Sequence, residues 1–312
     1  IGKMTLPELE RRGYPDGIAI GSLAGAGTLG LLIPPSIIMI VYGVAAEVSI
    51  AQLFMAGILP GLLLAGLFSG YLVVWALRHP RLVPPADTQL RLAQKLHESR
   101  HLIPIVLLIV AVLGSIYTGI ATATEAAAVG VVGALALSAA QGSLSWQTFK
   151  DSLLGGTRLY CMIALILAGA AFLTLSMGYI GLPRHLAEWI GSLGLSQWQL
   201  LLALAAFFVV LGCFLDGISM VVLTIGVVMP TVVKAGIDPL WFGIFVVLVV
   251  EMAQITPPVG FNLFVLQGMT GREIGWIARV TMPFFWCMAA AIVLVTVFPA
   301  IVTVLPQTVM AR

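Results

Sequence analysis

The sequence predicts an all-α, polytopic membrane protein built from inverted repeats, with broken transmembrane helices and a re-entrant hairpin. Three observations carry that prediction. Of the 312 residues, 60% are hydrophobic and only 9% charged, with a mean hydropathy of +1.10, far outside the range of a water-soluble domain. Apolar runs of 19 or more residues recur, as at 102–120, where a membrane barrel would show alternating segments of roughly ten residues. Two long runs are each interrupted by a double proline. Such a break removes two backbone donors and frees carbonyls that lipid cannot satisfy, so it survives only where it lines a cavity or binds something.

In chain order, residues 1–16 are polar, start at Ile1 with no signal-peptide pattern, and read as a cytoplasmic connector that follows a missing earlier part. Residues 17–46 form the first broken run, interrupted at Ile33-Pro34-Pro35-Ser36, and with the run 51–77 they make the first repeat, 17–77. A polar loop, 78–101, carries five Lys/Arg against Asp87 and Glu98. The next region, 102–198, holds apolar runs at 102–120, 124–140 and 159–181. Its last part, 183–195, is too short and too polar to span, and reads as an interfacial helix with Trp189 at headgroup level. The second repeat, 199–312, holds broken runs at 199–233 and 239–269 and a final run at 280–305. The break in 239–269 is Ile255-Thr256-Pro257-Pro258-Val259-Gly260.

Each broken run is either one kinked crossing or a hairpin of two half-helices, and the positive-inside rule separates the two. With 17–46 and 239–269 as hairpins, the Lys/Arg split across the membrane is ten to five. With 199–233 as the hairpin, the cytoplasmic side collects Lys3, Arg11, Arg12, Arg78, Arg81, Arg91, Lys95, Arg100, Lys150, Arg158, Arg272 and Arg279 against Arg184, Lys234 and Arg312, a split of 12 to 3. The second arrangement places the hairpin tip at Gly212-Cys213-Phe214-Leu215-Asp216-Gly217, reached from the periplasmic side. Pro35 to Pro60 and Pro258 to Pro283 are both 25 residues apart, so the two breaks superpose at an offset of 223 with opposite orientation in the membrane.

Gly25-Ala26-Gly27-Thr28-Leu29-Gly30 matches G-x-G-x-x-G, but no strand precedes it and no βαβ unit surrounds it. Close helix packing through small residues accounts for it better, and the glycines also loosen the helix so that carbonyls near Gly30 and Ile33 can turn toward a cation. Asp216 lies in an apolar run, where an unpaired carboxylate costs roughly 3 kcal/mol. It reads equally as a cap at an Asp-Gly turn and as a contact for an ion or substrate. Glu251 reads equally as hydrogen-bonded to a neighbouring helix and as facing the permeating species. Thr122 to Glu125 has capping-box spacing. Thr256 and Asn262 offer short polar side chains that can supplement carbonyl ligands for Na⁺. Cys161, Cys213 and Cys287 sit far apart in apolar stretches and read as packed thiols, and the four histidines form no ligand motif.

Leu6-Pro7-Glu8-Leu9-Glu10-Arg11-Arg12-Gly13-Tyr14, Gly27 to Ser36, Thr124 to Ala128, and Ile255 to Gly260 together resemble the large membrane subunit of tripartite ATP-independent periplasmic (TRAP) transporters, the DctM-like permeases. The resemblance spans nearly the whole chain. It implies an elevator-type, Na⁺-coupled importer in the bacterial inner membrane. Such an importer takes an organic anion, a carboxylate such as sialic acid or a C4-dicarboxylate, from a periplasmic substrate-binding protein, and a small four-helix membrane subunit completes it. Under it, 17–77 and 199–312 are transport-domain segments and 102–198 holds scaffold helices and an interfacial arm. One Na⁺ site would use Gly30, Ile33 and Pro34, and the other Gly212, Ala253, Thr256 and Val259, mostly through backbone oxygens. Ser36, Asp216, Pro257, Pro258 and Asn262 border these breaks and become candidate contacts for the anion. The family often has glycine where Ala253 stands, and proline where Ala123 stands.

Other function classes fit less well. A single-component Na⁺/organic anion symporter shares the broad architecture and differs in needing no binding protein. An intramembrane protease needs paired carboxylates or H-E-x-x-H, and the chain has one deep Asp and no such histidine pair. A passive membrane anchor would not need interrupted helices, and no Walker motif is present. No enzymatic activity is expected. The net charge of +2 identifies no partner beyond the lipid bilayer that the composition implies, and no nucleic acid is expected.

Overall fold

The computed structural model describes residues 2–84, 99–212, 214–257 and 260–310, and these are helical with no strand among them. Pro258 and Val259 of the second break, Cys213 of the hairpin tip, residues 85–98 of the polar loop, Ile1 and Arg312 lie outside the described residues. The chain divides into two compact units, Ile1–Pro84 with Ile166–Arg312, and Pro85–Leu165.

In the first unit, α1 (Gly2–Arg11) precedes α2 (Asp16–Leu32), and α2 and α3 (Ile37–Ala45) meet at a 43° bend where Pro34-Pro35 stands. Next comes α4 (Ile50–Arg78), opened by the Ser49 side chain accepting the Gln52 amide at 3.4 Å. The second unit contains α5 (Ile103–Tyr117), α6 (Ala123–Ala140) and the start of α7 (Trp146–Ile180). Back in the first unit, α8 (Leu182–Ser192) is followed by the pair α9 (Gln197–Gly212) and α10 (Gly217–Lys234). Then come the pair α11 (Pro239–Gln254) and α12 (Phe261–Thr270), then α13 (Ile274–Val297) and α14 (Ala300–Met310). Five helices among the described residues are long and apolar enough to cross a membrane, or six with the bent pair counted as one span.

The core of the first unit is α11, buried on every side from Trp241 to Gln254. A helix that is apolar all round belongs at a centre, and that is why 239–254 shows an unbroken apolar run rather than an amphipathic stripe. Helices α2, α3, α4, α9, α10, α13 and α14 surround it. Glycines let them approach: a β-carbon at Gly21 would stand 2.5 Å from the Val280 carbonyl oxygen, and one at Gly25 would stand 2.6 Å from the Phe284 ring. Phe284 in turn meets Phe68 and Tyr71 edge to face at 5.4 and 5.2 Å. Thus Gly25 of the G-x-G-x-x-G stretch is a helix-packing residue.

The repeat read from proline spacing has a structural counterpart. Each break is followed by a short helix, α3 of 9 residues and α12 of 10, and then by a long one, α4 or α13, with Pro60 or Pro283 inside it. In the second unit, α6 packs on α5 through Gly133, where a β-carbon would meet Leu108 at 2.3 Å. Apolar side chains on α6 remain exposed, Val132 at 67% among them, as a helix facing hydrocarbon requires.

Four features depart from the sequence reading. Helix α7 begins at Trp146 rather than near 159, because Lys150, Asp151 and Arg158 are compatible with a helix that extends past the apolar run. The run 280–305 is two helices, α13 and α14, separated at Phe298-Pro299. The connector 1–16 contains a helix, held by Glu8 accepting from both Arg11 and Arg12, which lowers its carboxyl below the ordinary range. Cys161 is exposed rather than packed, and Cys287 is half-buried; neither is in a disulfide. Helix α8 covers most of the segment read as interfacial, with Trp189 60% exposed and an Arg184–Glu188 pair at 2.9 Å.

Candidate functional site

At the first break, Pro34 and Pro35 supply no N–H to the carbonyls of Gly30 and Leu31, four residues earlier. The Ser36 hydroxyl donates to the Leu31 oxygen, and Ser36 Oγ accepts the Met39 amide at 3.3 Å, so this residue, 1% exposed, caps α3. The Ile33 amide bonds back to Leu29 O at 2.8 Å. Those bonds leave the Gly30 carbonyl as the acceptor the break releases. A β-carbon at Gly30 would meet nothing within 4 Å, so the spot is open. Ile33 packs on Gly61, where a β-carbon would come within 2.8 Å of its side chain.

At the second break, Pro257 and Pro258 likewise withhold donors from Ala253 O and Gln254 O. The Ile255 amide turns to Met252 O at 3.2 Å and the Thr256 amide to Ala253 O at 3.1 Å. The Thr256 hydroxyl donates to Met252 O at 2.7 Å, which leaves its lone pairs available. Gly260 folds against the released carbonyl: a β-carbon there would lie 2.3 Å from Gln254 O and 3.0 Å from Thr256 O. Only glycine permits that approach.

The hairpin tip of α9 and α10 closes on this break. A β-carbon on Gly212 would stand 2.3 Å from that of Ala253. Gly217 opens α10 and sits between the two breaks: its β-carbon position is 2.8 Å from Gln254 Nε2 and 2.9 Å from both Val250 and Ile38. Ile38 follows the first break and Gln254 precedes the second. Asn262, in the first turn of α12, lies 3.6 Å from the β-carbon position of Gly27 on α2, and its buried Nδ2 has no hydrogen-bond partner. Glycines therefore bring both breaks and the tip into one place.

Asp216 N-caps α10: Oδ2 accepts the Ile218 and Ser219 amides at 3.1 and 3.2 Å, and Oδ1 accepts the Ser219 hydroxyl. Of its two readings from sequence, the cap is the one this geometry displays. The Thr122 to Glu125 capping box is formed, with both reciprocal bonds in place. Of the residues read from sequence, Gly212, Ala253, Thr256 and Pro257 come together at the second break, and Gly30, Ile33, Pro34 and Ser36 at the first. Gln254 and Gly217 were missed. A polar residue inside an apolar run was the signal for Gln254, and an Asp-Gly pair followed by a helix was the signal for Gly217.

Chemically, the breaks offer neutral backbone oxygens released from helix bonding, a set suited to a hard cation. The unpartnered Asn262 amide offers a donor suited to a carboxylate.

The comparisons with known proteins agree with this architecture. The family model of the tripartite ATP-independent periplasmic transporter, DctM component, matches residues 1–301. The C4-dicarboxylate TRAP transporter large permease protein DctM of Pseudomonas aeruginosa is 35% identical over 308 residues, covering 98% of this chain and 71% of that protein. Its counterpart of the same name in Rhodobacter capsulatus is 34% identical, with 98% and 72% covered. The isethionate TRAP transporter permease protein DctMQ of Oleidesulfovibrio alaskensis is 31% identical, with 96% of this chain and 47% of that protein covered.

Proposed function

Because the chain belongs to the DctM component family of tripartite ATP-independent periplasmic transporters, and is therefore a transporter permease rather than an enzyme, we propose that it imports an organic anion across the bacterial inner membrane in symport with Na⁺. The relatives' names point to the class of substrate, C4-dicarboxylates and isethionate both being small organic anions. The anion is delivered by a periplasmic binding protein, and a small membrane subunit completes the permease.

One observation carries the reading: Gly217 touches Ile38 beyond the first break and Gln254 before the second, so both breaks and the hairpin tip share one site. In a bilayer, freed backbone oxygens persist only where something fills them, and interrupted helices hold coupling ions and anionic substrates in secondary carriers. Na⁺ is transported cargo here. At the first site the proposed contacts are Gly30, Ile33 and Pro34. At the second they are Gly212, Ala253, Val259 and the backbone and hydroxyl of Thr256. The anion lies beside them, against Asn262 and the proline edges at Pro257 and Pro258, with Ser36 and Asp216 fixing the helix ends around it. Filling the oxygen-lined sites with a cation makes the adjacent position favourable for an anion, so Na⁺ and substrate bind with positive, reciprocal coupling. The segments 17–77 and 199–312 then move as the elevator.

The test is uptake of a labelled C4-dicarboxylate by the permease reconstituted with its small subunit and binding protein. Uptake is expected to require both an inward Na⁺ gradient and the binding protein. Equal uptake with K⁺ in place of Na⁺ overturns the coupling, and uptake without the binding protein favours the single-component symporter.

A further inference from the structure

Three buried side-chain atoms among the described residues have no hydrogen-bond partner: the Tyr117 hydroxyl, Asn262 Nδ2 and Glu251 Oε2. Two of them flank the second break, a donor after it and an acceptor before it. The donor has a use in the reading above. The acceptor does not.

Glu251 is 0% exposed, in the last turn of the central helix α11. Its Oε1 accepts from Gln254 Nε2 at a long 3.3 Å. Oε2 meets nothing. The ion pairs among the described residues are Glu8 with Arg11 and Arg12, Glu188 with Arg184, and Asp16 with Arg272, so none of the described cations is paired with this carboxyl. It caps no helix. As a structural pair, Glu251 and Gln254 would be poorly chosen, since an apolar pair of the same volume would leave no oxygen unfilled.

The same turn presents further oxygens. Gln254 O has lost its donor to Pro258, and the Ile255 amide bonds to Met252 O rather than to Glu251 O four residues back. The hairpin tip closes over the pair through Gly217, which touches the Gln254 amide. A buried carboxylate oxygen with no hydrogen-bond partner, in the same helical turn as carbonyls that have lost their usual donors, offers a donor set for a hard cation.

We propose that Glu251 is the anionic member of the cation site at the second break, with Oε2 holding Na⁺ together with the carbonyls that the prolines release. This rests on the Na⁺-coupled reading and adds a charge to a site otherwise built of neutral oxygens. The consequence is electrostatic. A carboxylate ionised there repels an organic anion unless a cation neutralises it, and the neutral pair admits one. Charge neutralisation then makes the order of binding, cation first, a property of a single side chain.

The experiment is a melting titration of the full permease with its small subunit in lipid nanodiscs, in rising Na⁺ with K⁺ keeping ionic strength constant. Wild type is expected to gain stability with Na⁺, because a ligand bound only to the folded state raises the melting midpoint. Glu251→Gln keeps the shape and the hydrogen bond to residue 254, and should raise the Na⁺ half-saturation about tenfold or abolish the gain. A merely structural role would lower the midpoint in K⁺ and leave the Na⁺ half-saturation unchanged, and that result overturns the proposal. Should Glu251→Gln not fold, Glu251→Asp serves in its place: it keeps the charge but withdraws the oxygen by a methylene, and an unaltered half-saturation overturns the proposal too. No Na⁺ response in wild type sinks the cation reading itself, which distinguishes the two failures.

Discussion

Gly212 and Ala253 meet across the second break with no space between them, a β-carbon on Gly212 standing 2.3 Å from that of Ala253. The contact fixes how deeply the hairpin tip seats on α11. Gly212→Ala should therefore lower the melting midpoint of the solubilised permease by the equivalent of about 1–3 kcal/mol, the usual cost of overpacking. The other near neighbour, Met220 Cε at 3.2 Å, belongs to a flexible side chain and can yield. Adding Ala253→Gly to Gly212→Ala removes the opposing carbon and should restore stability. A double variant as unstable as the single one would place the constraint elsewhere.

Asp216 supplies the second test. Its carboxylate accepts two amides at the start of α10 and the Ser219 hydroxyl. Asparagine offers an oxygen to the same amides, so Asp216→Asn should transport nearly as wild type, while Asp216→Ala should cost about 1 kcal/mol of stability. Loss of uptake in a fully stable Asp216→Asn protein would instead give the carboxylate a direct role with the anion or the ion.

Much of this was legible in the sequence because prolines and hydropathy act locally. Both double-proline breaks, the turn at Asp216 and a helix over 182–192 lie where the residues predict them. What could not be read depends on neighbours distant in the chain. Polar Lys150 and Asp151 look like a loop after Gln141-Gly142, yet they continue into α7, since a helix can outrun its apolar run where nothing stops it. Gly212 against Ala253 and Gly217 against Ile38 are contacts across 41 and 179 residues, set by how α9 and α10 dock. Glu251 was ambiguous for the same reason: whether a lone glutamate has a partner depends on which side chains the surrounding helices turn toward it.

The charge split predicts opposite faces for Arg81 and Glu188, the first in the cytoplasmic loop and the second on the periplasmic interfacial helix. Both side chains are exposed. In a background lacking Cys161, Cys213 and Cys287, Glu188→Cys should label with a membrane-impermeant maleimide from outside, and Arg81→Cys only after permeabilisation. Equal labelling of both from outside would reject the topology and the hairpin assignment with it.

Thr256→Ala tests the hydroxyl at the second break. The hydroxyl proton is taken by Met252 O at 2.7 Å, so what the oxygen offers a cation is its lone pairs. Its removal leaves both prolines and the bend in place. Uptake by the reconstituted complex should need several-fold more Na⁺, with little loss of assembled protein. An unchanged Na⁺ dependence removes that side chain from the ion site and leaves the backbone carbonyls to account for binding.

Asn262 should behave in the opposite way, because it offers a donor rather than acceptors. Its Nδ2 is buried without a partner, close to Gly27 of α2, where the anion's carboxylate would find it between the two repeats. Asn262→Asp keeps the size but exchanges that donor for a carboxylate, placing like charge against the substrate. Half-saturation for the anion should rise at least about tenfold, the cost of one lost charge-assisted bond or more. The Na⁺ half-saturation, read by the melting titration in the absence of anion, should stay the same or fall, since an added negative charge nearby favours a cation. A variant that needs more Na⁺ but binds the anion normally would put residue 262 on the cation's side of the break, and would reverse the assignment of the two ligands.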